Sequence, residues 1–123
     1  MTRPLKDRFG AVDLAAGLAL LIYVGFISYA ALRPPADGPG IVGLDKLLHA
    51  GAFTGLFVLA ALASRGRHLA AVVIGCLIYG GAIELAQGLM PYGREPSLAD
   101  GVANAVGIAI GFGVWRVLNR VMR

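Results

Sequence analysis

Eight polar residues stand in or beside long apolar runs of this 123-residue chain: Asp45, Lys46, His49, Glu84, Gln87, Arg94, Asp100 and Asn104. Their types suit proton transfer and anion binding. Carboxylates and imidazoles are the usual general acids and bases. Lys and Arg hold phosphate or carboxylate groups through charge-assisted hydrogen bonds. Gln and Asn orient what the others act on. In a hydrocarbon environment a charged residue at a helix centre costs about 2.5–3.5 kcal/mol, so such residues mark functional sites and need partners.

The spacing is ordered. Asp45 and His49 are four apart, Glu84 and Gln87 three apart, Asp100 and Asn104 four apart. On a helix each pair shares one face. Glu84 lies seven residues before Pro91 and Asn104 seven after Ser97, so each sits roughly 10 Å from its helix end at 1.5 Å per residue. By the same count His49 is about 7 Å deep. The expected catalytic set is Glu84, His49, Asp45 and Asp100. Glu84 is the main acid or base, and Asp45 orients His49. Lys46, Gln87, Arg94 and Asn104 form the expected substrate-binding set.

Each residue also has a plainer reading. Asp45 can cap its helix. Ser97-Leu98-Ala99-Asp100 fits a capping box. Lys46 can snorkel to an interface, and Arg94 can be a solvated loop charge beside Glu95. Gln87 and Asn104 can be interhelical glue, worth under about 2 kcal/mol. Glu84 has no capping position and is the deepest acid, so the functional reading is strongest there.

The elements that must position these residues are four apolar runs, Leu14 to Leu32, Leu47 to Ser64, Leu69 to Met90 and Leu98 to Leu118. Each has the length of a spanning helix, which needs about 17–25 residues. The chain is 58% hydrophobic and 15% charged, with mean hydropathy +0.75; a soluble domain carries about 25% charged residues. The first run has no polar face, which argues against a soluble bundle. The breaks are Pro- and Gly-rich (Arg33 to Gly40, Met90 to Pro96) or basic (Ser64 to His68). The expected fold is all-α, an integral membrane bundle of four transmembrane helices at about 12–32, 45–64, 68–90 and 97–118. These form one transmembrane domain over 12–120, between an N-terminal segment, 1–11, and a C-terminal end, 119–123.

Eight Lys and Arg fall at the termini and the second turn, against three (Arg33, Lys46, Arg94) on the other side. The positive-inside rule then places both termini in the cytoplasm and the polar pairs in the outer half. The basic residues sit at segment ends rather than along one stripe, so no nucleic-acid partner is expected. The first run is longer than the roughly 7–15 apolar residues of a signal peptide, so an uncleaved helix is expected. The single cysteine, Cys76, permits no internal disulfide and reads as a small buried hydrophobe. Gly51 and Gly55, and Gly107 and Gly111, have small-xxx-small spacing that favours close helix packing.

Taken together, Asp45-Lys46-Leu47-Leu48-His49 with Phe53, Glu84-Leu85-Ala86-Gln87, Pro91 to Arg94, Ser97-Leu98-Ala99-Asp100, Asn104 and Gly107 resemble the VanZ-like membrane proteins. The likeness covers roughly Leu44 to Leu118, and the Pro91–Arg94 spacing is one residue longer than the common form. The resemblance implies a bacterial multi-pass protein of the cell membrane. The family's founding member is associated with teicoplanin (glycopeptide) resistance.

The leading functional expectation is an outward-facing intramembrane pocket that binds or modifies an envelope lipid or lipid-linked precursor. Metal-assisted chemistry through His49, Glu84 and Asp100 is a second reading, set lower because no HExxH-like local spacing is present; no metal or cofactor is assigned. A small transporter or channel subunit is a third, since buried acids also mark ion paths. Four helices are few for alternating access, an objection that a homo-oligomer would relieve. A structural module without catalysis is the fourth.

Overall fold

A computed structural model describes residues 5–36, 38, 40–92 and 95–123, with side chains from Asp13 onward. Four helices account for nearly all of it: α1 (Leu5–Leu32), α2 (Leu44–Ala63), α3 (Leu69–Leu89) and α4 (Leu98–Val121). There is no strand among the described residues. All four are long and apolar enough to cross a membrane; in α1 that stretch is Asp13–Leu32. The helix itself continues seven residues further back than the expected start near 12. Apolarity ends at Asp13, but no Gly-Pro break interrupts helix formation until Pro4.

The breaks form where backbone chemistry demands them. Between α2 and α3, Arg65, Gly66 and His68 all have positive φ, at 55°, 68° and 57°. Gly66 has no alternative, because a Cβ there would strike the Trp115 ring. Ser97 caps α4 in extended conformation, its hydroxyl accepting the Asp100 N–H at 3.3 Å.

The helices alternate in direction, so α2 and α4 run parallel. They are the most closely packed pair, and the reason is glycine. A methyl on Gly107 would collide with the Ala50 carbonyl. One on Gly111 would come within 2.9 Å of Phe57 Cβ and 3.0 Å of the Thr54 carbonyl oxygen. The Thr54 hydroxyl bridges the seam, 2.8 Å from the Ala50 carbonyl oxygen and 3.0 Å from that of Gly107. On α2 the expected glycine pair divides: Gly51 faces open space, and Gly55 lies against Tyr23 of α1.

Around this seam sits the buried core of Phe53, Leu56, Phe57, Ala61, Cys76, Ile108 and Trp115, with Ile27 from α1. Outside it large apolar side chains are exposed, among them Leu21 and Ile22 of α1, Ile78 and Leu85 of α3, and Ile110 and Val117 of α4. Such a surface is stable against lipid, where exposed apolar area carries no hydration penalty, and helices satisfy their own backbone groups. α1 is the peripheral helix. It packs on α2 and α3 but not on α4, tethered by Tyr23 donating to the Ala52 carbonyl at 2.8 Å and by a 2.6 Å hydrogen bond between Ser28 and Tyr79. At the opposite end from the polar pairs, Asp13 takes both Nε and Nη2 of Arg65, fastening α1 to the α2–α3 turn.

The glycine seam makes a direct prediction. Gly107→Ala should destabilise the bundle by about 1–3 kcal/mol, as overpacking does, whereas Gly113→Ala, which faces open space, should be neutral or slightly stabilising. Denaturant unfolding of the detergent-solubilised protein, followed by circular dichroism, measures both.

Candidate functional site

The parallel seam between α2 and α4 fixes a register in which the first turns of both helices lie side by side. Lys46 of α2 therefore meets Asp100 of α4 in an ion pair, and it also bonds the neighbouring Asp45 carboxylate at 2.7 Å. One turn further along, His49 Nδ1 lies 2.9 Å from the Asn104 side-chain oxygen. A carboxamide oxygen only accepts, so Nδ1 carries a proton; in the neutral imidazole Nε2 then presents its lone pair. That lone pair faces Asp100 Oδ2 at 3.8 Å.

α3 contributes Glu84. Its Oε2 accepts the backbone N–H of Ser97 at 3.1 Å. Its other oxygen, Oε1, is closed off from solvent and has no hydrogen-bond partner among the described residues. One ligand-type atom from each of His49, Glu84 and Asp100 lies within 4.8 Å of those from the other two.

Each of the three reactive side chains is thus fixed by one atom and has another to spare. His49 is held through Nδ1, Asp100 through Oδ1 and Glu84 through Oε2. The supporting groups differ in kind: a buried amide, a half-exposed ammonium and a backbone N–H. Asn104 is only 3% exposed, and Gly80 makes room for it, since a Cβ there would lie 3.1 Å from its amide nitrogen.

The structure redistributes several expected roles. Asp45 does not orient His49; its carboxylate, 48% exposed, goes to Lys46, and Asn104 takes the imidazole. The i,i+4 spacing puts Asp45 and His49 on one face, but a partner across the α2–α4 seam is the one that holds His49. Asp100 does not close the capping box. Glu84 supplies the reciprocal acceptor for the Ser97 N–H, which leaves the Asp100 carboxylate for Lys46 and His49. Gln87, 4% exposed, donates to the Ala31 carbonyl at 2.9 Å and joins α3 to α1. Arg94 lies outside the described residues. Asn104 and Ser97 prove to be the organisers of the site. The i,i+4 spacing from Asp100 and the capping pattern were the signals for them.

The bundle has two concave surfaces. An apolar groove of about 420 Å³ runs between α3 and α4, lined by Val73, Leu77, Ala105, Ile108, Ala109 and Phe112. Leu77 and Val73 precede Glu84 by seven and eleven residues, close to two and three turns, so they share its face. At the far end of the bundle a cleft of about 390 Å³ is lined mainly by Arg65, Trp115, Arg116, Arg120 and Arg123. No Asp or Glu is among its described lining residues, and it lies a helix length from the polar cluster.

A family model described as VanZ/LLP1 matches residues 15–119, and the chain belongs to that family. With four candidate spans it is a multi-pass membrane protein. No curated protein and no solved structure matches the chain.

The imidazole tautomer can be tested directly. In ¹⁵N NMR spectra of the protein in detergent, His49 should show a protonated Nδ1 and an unprotonated Nε2. Asn104→Leu should convert it to a mixture of tautomers; an unchanged spectrum would remove Asn104 as the orienting group.

Proposed function

We propose that the polar end of the bundle holds the anionic head group of an envelope lipid or lipid-linked precursor, with Glu84 and His49 as its proton-transfer groups. The observation that carries this reading is the convergence of His49, Glu84 and Asp100 from three different helices. Polar residues kept only for helix packing have no reason to leave a buried carboxylate oxygen unpartnered.

The surroundings suit an amphiphile. Lys46 is 38% exposed at the rim and can exchange a carboxylate contact for a phosphate or carboxylate oxygen. Arg94, between α3 and α4 in the sequence, is the second cation assigned to that anion. The apolar groove lies beneath Glu84 on the same face of α3, where it can take an acyl or prenyl chain. His49 Nε2 serves as the base, Glu84 is the second proton-transfer group, and Asp100 positions Lys46 and faces the imidazole. Asn104 supports the site from behind, through His49 Nδ1. Asp45 keeps Lys46 at the rim.

The distribution of Lys and Arg, eight against three, supports cytoplasmic termini and an outward-facing polar end, in a bacterial plasma membrane. An effect on glycopeptide susceptibility belongs to the same proposal, as its whole-cell consequence. The competing reading is a structural module, favoured by the Gln87–Ala31 and Thr54–Gly107 bonds, which do nothing but join helices.

Mass spectrometry of copurifying lipids separates the two. Glu84→Gln keeps an acceptor for the Ser97 N–H, so the variant should insert and fold. The proposal expects one head-group class enriched with wild type and lost with the variant. An identical lipid profile, with only a change in stability, would sink the head-group site.

A further inference from the structure

We infer that His49, Glu84 and Asp100 form a binding site for one divalent transition-metal ion. The inference rests on the head-group reading in one respect: the ion would receive the head group's anionic oxygen, with His49 and Glu84 then serving as its ligands in place of proton transfer. It stands, however, on its own geometry.

Three observations carry it. The first is convergence: one ligand-type atom from each residue lies within 4.8 Å of the other two. Ligands about 2.0–2.2 Å from a common ion are roughly 3.3–3.6 Å apart in a tetrahedral arrangement, so side-chain adjustments of about 1 Å would close the set. The second is outer-shell support. A metal-binding imidazole ordinarily donates its other N–H to a carbonyl or carboxylate, and His49 Nδ1 does so to buried Asn104. Asp100 and Glu84 are likewise held through one oxygen each, by Lys46 and the Ser97 N–H.

The third observation is electrostatic. His49 Nε2, in the neutral imidazole, and Asp100 Oδ2 are both electron-rich, and they face each other at 3.8 Å. Glu84 Oε1 is buried without a donor among the described residues. Three carboxylates (Asp45, Glu84 and Asp100) stand here against one described ammonium, that of Lys46, an excess of two acidic groups at the edge of an apolar bundle. A divalent cation neutralises it. Unpaired buried charge is otherwise expensive.

The ligand chemistry selects the class of ion. One imidazole nitrogen with two carboxylate oxygens suits Zn²⁺ or Mn²⁺ better than Mg²⁺ or Ca²⁺, which take oxygen ligands. The pattern was not visible as a motif because the three ligands come from three helices. Only the register of α2 against α4, and the reach of Glu84 to the start of α4, bring them together.

The test uses the full-length protein in detergent, stripped with a chelator and then titrated with Zn²⁺ alone by calorimetry. One equivalent per chain is expected. His49→Gln and Glu84→Gln should abolish that binding. Asn104→Leu should weaken it about 10–100-fold, the usual effect of losing an outer-shell partner. His68→Gln, at an exposed histidine on the opposite end, should leave it unchanged. Wild type reconstituted with Co²⁺ gives a readout independent of any variant: visible d–d bands of nitrogen–oxygen ligation. No binding, binding retained in Glu84→Gln, or Co²⁺ without such bands would overturn the site. Zn²⁺ binding is measured without lipid and the lipid profile without added ion, so either reading can fail while the other stands.

Discussion

The backbone contact between α2 and α4 is the constraint on which everything else rests. Where Gly107 lies on Ala50 and Gly111 on Thr54 and Phe57, no side chain separates the two helices. The helices run parallel, so this contact also aligns their first turns. Lys46 then has Asp100 within reach, and His49 has Asn104. A helix pair held apart by leucines would place the same residues too far from each other to bond. Van der Waals packing at small residues is a main source of helix association in lipid, where the hydrophobic effect offers no help. In this protein the same packing sets the geometry of the polar end.

The bundle divides its polar chemistry by purpose. Some polar groups serve only assembly: Tyr23 on Ala52, Gln87 on Ala31, Ser28 with Tyr79, Thr54 across the seam. Each is satisfied within the bundle and has little left to offer a ligand. The cluster at His49, Glu84 and Asp100 is different in kind. Every member is restrained through one atom while a second stays available. Restraint without full satisfaction is what preorganisation requires. It distinguishes a site from glue more sharply than burial does, since Gln87 and Asn104 are the most buried polar residues described.

Much of this was legible from residue order. Four uninterrupted apolar runs gave the four helices, and periodicity put the polar pairs on single faces at similar depths. Partners across helices were not legible. Asp45 and His49 are one turn apart, yet the imidazole is held from α4. Ser97 and Asp100 have capping-box spacing, yet Glu84, thirteen residues earlier, completes the box. Spacing along one helix follows from 3.6 residues per turn. Spacing between helices depends on how closely their backbones approach, which only packing decides. The glycines of α4 hinted at that approach. The glycines of α2 misled in part, because Gly51 faces open space and Gly55 serves α1.

The parallel pairing of α2 and α4 also has a consequence for how the protein is made. Its tightest interface joins segments more than fifty residues apart in the chain, and the ribosome delivers α4 after the other three helices. Until then α2 resides beside α1 with Lys46 lacking Asp100 and His49 lacking Asn104. Glu84 waits at the end of α3 with no Ser97 N–H to receive. All these groups lie towards one end of the bundle rather than at its middle, where polar groups on nascent helices are kept hydrated at modest cost. The arrival of α4 brings the counter-charge, the amide and the N–H in a single step. Docking of α4 and completion of the polar cluster are therefore one event in biogenesis, and a chain stopped before Leu98 would keep the contacts of α1 with α2 and α3 but could not form the cluster.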